Sequence, residues 1–364
     1  METNKVVIES LAMNGGVGDH SYANNSSLQR SGFEAAKALI YRAIKENLDV
    51  KVLSCGSSFR ITDLGCSVGP NTFIAVQNIV EAIEQKHHCE RLKRPLPEFH
   101  VYFNDHVSND FNTLFTSLPL ERRYFAAGVP GSFHTRLFPE KYINLVYSFA
   151  SLQWLSKVPD EVVNITSPCW NKGRIYYTNA PSDQVMVAYR GQFAKDMERF
   201  LDARAKEVVH GGLMALSFPC IPDGLPYSRS QIGVFFDLLS SALMDMAKTG
   251  RVDEAKADSF NVPFYSTASP REVETLVEKN GCFTIERNET WPCPILEGNG
   301  ASEMYSKHYR AFMEGLIKEH FGSSDEIIEE LFKIFTNKIS DSFAVLEESN
   351  MSILFVLLKR KEDS

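Results

Sequence analysis

Phe59-Arg60-Ile61-Thr62-Asp63-Leu64-Gly65-Cys66-Ser67-Val68-Gly69-Pro70 reads as a short strand, a glycine turn and the start of a helix. Phe59 to Leu64 is the strand, and Pro70 suits the first helical position, where its missing N–H has no intrahelical partner to lose. Phe73, Val76, Ile79, Val80 and Ile83 continue at helical spacing. Outward from this unit, residues 99–103 form a second strand ending at Asn104-Asp105, and residues 144–149 and 213–218 are further strands. A helical segment spans about 188–209, and Phe33, Ala36, Leu39, Ile40, Ala43 and Leu48 mark an amphipathic helix ahead of the first strand. Repeated strand–helix alternation predicts an α/β fold with a doubly wound, mostly parallel sheet.

After residue 220 the pattern turns helical, around 230–249, 270–280, 303–319 and 325–340, with strands near 283–290 and 352–358 to pair at the sheet edge. The expected domains are a core over 1–220 with an N-terminal lid segment, a mainly helical cap over 221–350, and a strand within 351–364 returning to the core. The 364 residues are 44% hydrophobic, with 25 Phe and 13 Tyr, enough for a large core and an aromatic pocket. A net charge of −8 argues against a nucleic-acid footprint, so an anionic substrate must be held by local donors. Seven cysteines without a C-x-x-C pair fit neither a disulfide framework nor a thiolate zinc site and point to a reducing compartment. Met1–Ser10 lacks the basic-then-apolar pattern of a leader, and residues 351–358 are too few to cross a bilayer, so the expected location is cytoplasmic with no membrane partner.

In an open α/β sheet, ligands bind beyond the carboxyl ends of the strands, where Asp63 to Pro70 lies. Gly65 and Gly69 let a ligand approach the backbone, and Asp63 can accept hydrogen bonds from a cationic amino group. The spacing is not the G-x-G-x-x-G that cradles a pyrophosphate, which favours a cationic amino acid–nucleoside. Asp105 either bridges ribose hydroxyls or caps a helix at 109–117. Gly128 to Phe133 follows a strand and either places Ser132 and Phe133 against an adenine or only reverses the chain. Gly65-Cys66-Ser67-Val68-Gly69 also satisfies G-x-S-x-G, the nucleophile elbow of serine hydrolases, with Ser67 as nucleophile. Against it, little sheet lies upstream and no downstream Asp–His pair identifies itself. His87, His88 and His100 lack H-E-x-x-H spacing, which excludes that metal-hydrolase pattern.

Ordered markers along nearly the whole chain resemble the plant SABATH methyltransferases. They are Met13-Asn14-Gly15-Gly16 with Ser21-Tyr22, Asp63 to Asn71, Phe103-Asn104-Asp105 with Asn109-Asp110-Phe111-Asn112, Gly128 to Phe133, Trp154-Leu155-Ser156, Asn171-Lys172-Gly173 and Asp258-Ser259-Phe260-Asn261. The resemblance implies a class I, Rossmann-like methyltransferase using S-adenosylmethionine on a small-molecule carboxylic acid, and a homodimer. It implies a cofactor shell of Tyr22, Ser26, Asp63, Cys66, Asn71, Asp105, His106, Ser132, Phe133, Ser148 and Phe149. Gln29 and Trp154 match the positions that hold the acceptor carboxylate through an amide and an indole N–H.

Resemblance and apolar character together place Phe235, Phe236, Tyr265, Tyr309, Phe312 and Met351 in the acceptor pocket beside Gln29, Ala150, Gln153 and Trp154. Relatives often carry Tyr four residues before the tryptophan and His or Met just before it; this chain has Ala150 and Gln153. A larger acceptor with its own hydrogen-bonding groups, terpenoid- or iridoid-like, therefore fits better than salicylate, and the Asp105-His106 pair and residues 124–133 resemble the loganic and farnesoic acid branch. Methylation of a xanthine-like ring nitrogen is the alternative within the family. Some relatives carry Mg²⁺ at positions matching Asn171, Asp258, Phe260 and Asn261, although one carboxylate in an Asn–Asp turn needs no metal.

Overall fold

The computed structural model describes residues 12–49, 52, 57–90, 95–293 and 295–362. Met1–Ser10, Cys55 and the Phe33 side chain, read above from sequence, lie outside that description. In chain order come α1 (Ser27–Asn47), β1 (Ser58–Leu64), α2 (Pro70–Cys89), β2 (Glu98–Asp105), α3 (Phe111–Thr116), β3 (Phe125–Pro130), β4 (Ile143–Phe149), α4 (Asp160–Val163), α5 (Asp183–Glu207) and β5 (Val208–Cys220). There follow α6 (Gln231–Lys248), α7 (Glu254–Ser259), α8 (Pro270–Asn280), β6 (Phe283–Pro292), α9 (Ala301–Phe321), α10 (Asp325–Asp341), α11 (Phe343–Glu347) and β7 (Ser352–Arg360).

The seven strands form one sheet in the order β3-β2-β1-β4-β5-β7-β6. The five strands from β3 to β5 are parallel, and β7 runs antiparallel to both β5 and β6. The class I α/β architecture expected from the strand–helix alternation is thus present, with an antiparallel edge built after the cap. Alternate residues separate two cores, as the two-residue period of a strand demands. Leu145 and Tyr147 of β4, with Phe355 and Leu357 of β7, face α1 and α2. Val146, Leu354, Val356 and Leu358 face α5 and the cap helices.

The chain passes from β1 outward to β2 and β3 and then returns to place β4 on the other side of β1. That reversal opens a crevice at the carboxyl ends of β1 and β4. Gly65 turns the chain there with φ +82°, and an added Cβ would stand 2.1 Å from Ser151 Oγ, so only glycine fits. Two details depart from the sequence reading. Gly128, Val129 and Pro130 close β3 and are not part of a turn after it; Pro130 is tolerated because β3 is an edge strand. The cap of α3 is Asp110, whose carboxylate accepts from Thr113 N at 2.9 Å, so Asp105 is left for other work.

Cap helix α6 begins at Ser230, which accepts from Gly233 N at 3.3 Å. Gly233 lets the helix press on the core, since a Cβ there would meet Thr178 Cγ2 at 2.4 Å. Helices α6, α9 and α10 pack together, whereas α8 lies against α5 and β6 on the sheet. The segment before α1 bridges core and cap: Gly16 N donates to Asp110 Oδ2 at 2.9 Å, and Asn14 N donates to Ala311 O at 2.9 Å. Among the described residues no helix is long and apolar enough to cross a membrane.

Candidate active site

The register Leu64↔Asn104 and Asp63↔Tyr147 brings the ends of β1, β2 and β4 level. Asp63 is buried and accepts from the Thr72 hydroxyl. Burial, against the pull of Thr72 and with help from the charge on Asp105, pushes its carboxyl up to about 7. Asp105 accepts from Ser67 N at 2.7 Å and from His106 N at 2.8 Å. Burial still raises its carboxyl, opposed by His106 and those two amides. Two desolvated carboxylates at one glycine turn make a strongly electronegative corner that suits a ligand carrying a positive charge and hydroxyl donors. Tyr22 stands beside them, its phenol pushed up first by burial and then by both carboxylates.

The other residues matched to the cofactor shell are spread around this corner. Asn71 Nδ2 donates to Ser26 O and Oγ, both at 3.0 Å, which ties the start of α2 to the start of α1. Cys66 is buried in the turn, its N–H donating to Asn104 O at 3.0 Å. Ser148 is committed inward, its hydroxyl donating to Leu64 O at 2.8 Å. Phe133 is held from behind by Arg204, a fully buried guanidinium that donates to Phe133 O at 2.8 Å, Thr135 O at 2.9 Å and Glu207 Oε2 at 2.7 Å. His106 and Ser132 line a polar cavity of about 390 Å³, whereas Tyr22 and Phe149 line a second, apolar one.

That apolar cavity, about 320 Å³, gathers Gln29, Ala150, Gln153, Phe235, Phe236, Tyr309, Phe312 and Met351, all named from sequence. Two sequence-named residues are not on its wall. Tyr265 points the other way, its ring 4.9 Å from Phe193 and its hydroxyl donating to Glu272 Oε2 at 3.2 Å. Its neighbour Phe264 takes the wall position, because side chains alternate along the extended segment that bridges to Trp154. Trp154 sits one layer back, edge-on to Phe264 and Phe312 with ring centroids 4.8 and 5.9 Å away.

Polar groups on the wall are few. Gln153 Nε2 donates to Ala150 O at 2.6 Å, while Gln153 Oε1 and Gln29 Oε1 are buried without a partner among the described residues. Gln29 Nε2 lies 3.3 Å from His308 Nε2. Sequence reasoning missed His308, although it shares the i, i+3, i+4, i+7 face of α9 with Tyr305, Tyr309 and Phe312. Its ring is buried, which pushes its pKa down to about 4 against the Asn25 carbonyl it contacts.

Ser67, the residue a hydrolase would need, has φ +51° at the strand–turn–helix junction. Its Oγ is buried without a hydrogen-bond partner among the described residues, so no histidine there stands ready to take its proton, as a serine nucleophile requires. Away from both cavities, Asn171 Nδ2 donates to Asn261 Oδ1 at 2.8 Å, Asp258 faces Lys172 Nζ at 3.8 Å, and Asn171 Oδ1 is a buried acceptor without a partner among the described residues.

A family model described as SAM dependent carboxyl methyltransferase matches residues 8–361. A loganic acid O-methyltransferase of Catharanthus roseus is 44% identical over 360 residues, covering 97% of this chain and 95% of that protein. A paraxanthine methyltransferase of Arabidopsis thaliana is 36% identical over 355 residues, covering 96% and 98%. A solved loganic acid methyltransferase with SAH superposes with a TM-score of 0.91 at 44% identity, covering 96% of this chain and 99% of that one.

Proposed function

The chain belongs to the S-adenosylmethionine-dependent carboxyl methyltransferases, and from that premise we propose that it esterifies a bulky, mostly apolar carboxylic acid that also carries a hydroxyl or other donor group. The observation that carries this reading is the aromatic cavity of about 320 Å³ in which two amide oxygens, Gln29 Oε1 and Gln153 Oε1, are buried without a partner among the described residues. A buried acceptor left unpaired costs about 1–3 kcal/mol, so an acid offering a donor is favoured over one that does not. In this reading residues 1–220 hold the cofactor, 221–350 shape the acceptor pocket, and 351–364 return to the sheet.

When bound, S-adenosylmethionine supplies the methyl group of a cationic sulfonium, and a carboxylic acid with a pKa of about 4.3 accepts it without a protein base. Asp63 and Asp105 fit such a cofactor, the first as a partner for its ammonium and the second, with a lone pair left on each oxygen, for ribose hydroxyls. Tyr22, Ser26, Cys66, Asn71, His106, Ser132, Phe133, Ser148 and Phe149 complete the shell. Gln29 orients the acid, and Trp154 backs the wall through the rings of Phe264 and Phe312. The aromatic wall excludes water that would stabilise the attacking oxygen, and alignment by fixed groups is the enzyme's main contribution.

Mg²⁺ would be held by Asn171, Asp258, Phe260 and Asn261, where Asn171 Oδ1, without a partner among the described residues, suits a hard cation; there it would tie two loops together and supply nothing to the transfer. Two further proposals are a homodimer, which the resemblance implies, and a cytoplasmic location, which the cysteine pattern of the sequence favours; light scattering and a tagged fusion test them. The deciding experiment incubates the protein with methyl-labelled cofactor and a panel of aromatic, terpenoid, iridoid and fatty acids. A base-labile methyl ester of a bulky hydroxylated acid is expected. Label appearing only on a carboxyl-free heterocycle would refute the reading in favour of N-methylation.

A further inference from the structure

We propose that His308 is a positioning residue that fixes which way the Gln29 amide faces, and so presents an N–H to the acceptor's carboxylate; the proposal rests on the carboxyl-transfer reading above. His308 Nδ1 lies 3.0 Å from the main-chain oxygen of Asn25. A carbonyl oxygen only accepts, so the ring's proton is on Nδ1. Burial keeps the ring neutral at physiological pH, its pKa pushed down to about 4. A neutral imidazole protonated on Nδ1 has a bare lone pair on Nε2. Gln29 Nε2 is 3.3 Å from that lone pair and must donate one hydrogen to it.

The reversed amide would set Gln29 Oε1 against the same lone pair, two acceptors face to face. Only one orientation is therefore stable: one N–H on His308, the second N–H free, and Oε1 turned away. Among the described residues nothing else in the pocket distinguishes the two ends of this amide, because Gln29 Oε1 has no partner there. The chain of bonds reaches the segment ahead of α1. Asn25 itself is anchored there, its Nδ2 donating to Asp19 O at 2.8 Å and Ser21 O at 2.7 Å. The ring is wedged edge-on against Phe312 and Tyr309, with centroids 5.2 and 5.8 Å away.

The test is a double-mutant cycle on acceptor kinetics together with a direct reading of the ring. His308→Leu is expected to raise the KM for the acid about tenfold, the worth of one lost hydrogen bond, with kcat changed less than about threefold. The affinity for S-adenosylhomocysteine stays unchanged. His308→Gln restores most of the loss, because its amide can donate to Asn25 O and accept from Gln29. In a Gln29→Leu background, adding His308→Leu has no further effect. An unchanged KM in His308→Leu, or additive losses in the double variant, overturns the proposal. Nitrogen-15 spectra of the histidine-labelled protein at neutral pH should show residue 308 protonated on Nδ1 and bare on Nε2; a proton on Nε2 also overturns it. A wild-type protein that esterifies no acid refutes the carboxyl reading instead, and the ring spectrum still decides the amide's orientation.

Discussion

Replacing Asp63 by Asn should make the cofactor-free protein more stable while destroying its cofactor binding. The carboxyl of Asp63 is raised from 3.8 to about 7 by burial in the fold. A group with a raised folded-state pKa stabilises below its unfolded value and loses that contribution as pH rises through the folded one. The window is therefore about pH 4 to 7. Above it, ionised Asp63 opposes folding by about three pKa units, roughly 4 kcal/mol as an upper bound at 1.36 kcal/mol per unit. The introduced asparagine carries no such charge and keeps an oxygen for the Thr72 hydroxyl. Thermal melts at pH 8 should place the Asp63→Asn midpoint several degrees above wild type, with the advantage shrinking to under about 2 kcal/mol by pH 5. Calorimetry on the same variant should find cofactor affinity reduced on the order of a hundredfold, as expected when one partner of a buried charge pair is removed. A variant less stable than wild type at pH 8, or one that binds the cofactor normally, would refute the assignment of Asp63 as a charge held for a cationic ligand.

Cofactor affinity of the wild type should fall as pH drops below about 7, by up to tenfold per unit, because the proton on Asp63 must leave before an ammonium is bound; a flat titration profile from pH 5 to 8 contradicts this. Arg204→Met leaves the buried Glu207 carboxylate without its cation, accepting from the Leu137 and Phe138 amides, and should cost about 3–5 kcal/mol in a denaturant melt. It should also weaken cofactor binding through Phe133, and adding Glu207→Met should not restore the stability, because the Leu137 and Phe138 amides would then lose the carboxylate oxygen they donate to. Ser67→Ala should retain methyl transfer and leave no esterase to lose, as measured with labelled cofactor and a chromogenic ester; loss of an esterase activity would revive the hydrolase reading. Gln153→Leu should erase the preference for a hydroxylated acid over its deoxy analogue, a ratio expected near tenfold or more, measured as kcat/KM for the pair.

The parallel half of the fold was legible because its signals are local: residues 59–70 spell strand, turn and helix within one short stretch, and the apolar spacing of α2 follows at once. The end of β3 was not, since Gly128 and Pro130 carry turn chemistry and only their place on a sheet edge allows them in a strand. The acceptor cavity was legible as composition, aromatic residues on helices after residue 220, but not as direction. Tyr265 was named where Phe264 stands, a one-residue slip that reverses the face in any extended segment. Trp154 was named as a contact and stands one layer back, behind two rings that the sequence does not order in depth. His308 was missed altogether. Its helical face was visible, yet its tautomer is set by Asn25, 283 residues earlier in the chain, and no local pattern encodes that encounter.

The antiparallel edge of the sheet has a consequence for how the protein is made. Among the described residues, strand β5 pairs on its outer side only with β7, and β6 reaches the sheet only through β7. While a ribosome is still producing the helices in between, β5 presents its backbone donors and acceptors to any extended chain nearby, and β6 has no strand partner at all. Such exposed edges template wrong pairings, and contacts so distant in sequence form slowly. A nascent chain of this kind therefore passes through its most aggregation-prone state just before residues 352–360 emerge, and a single late segment then covers the edge of β5 and gives β6 its partner.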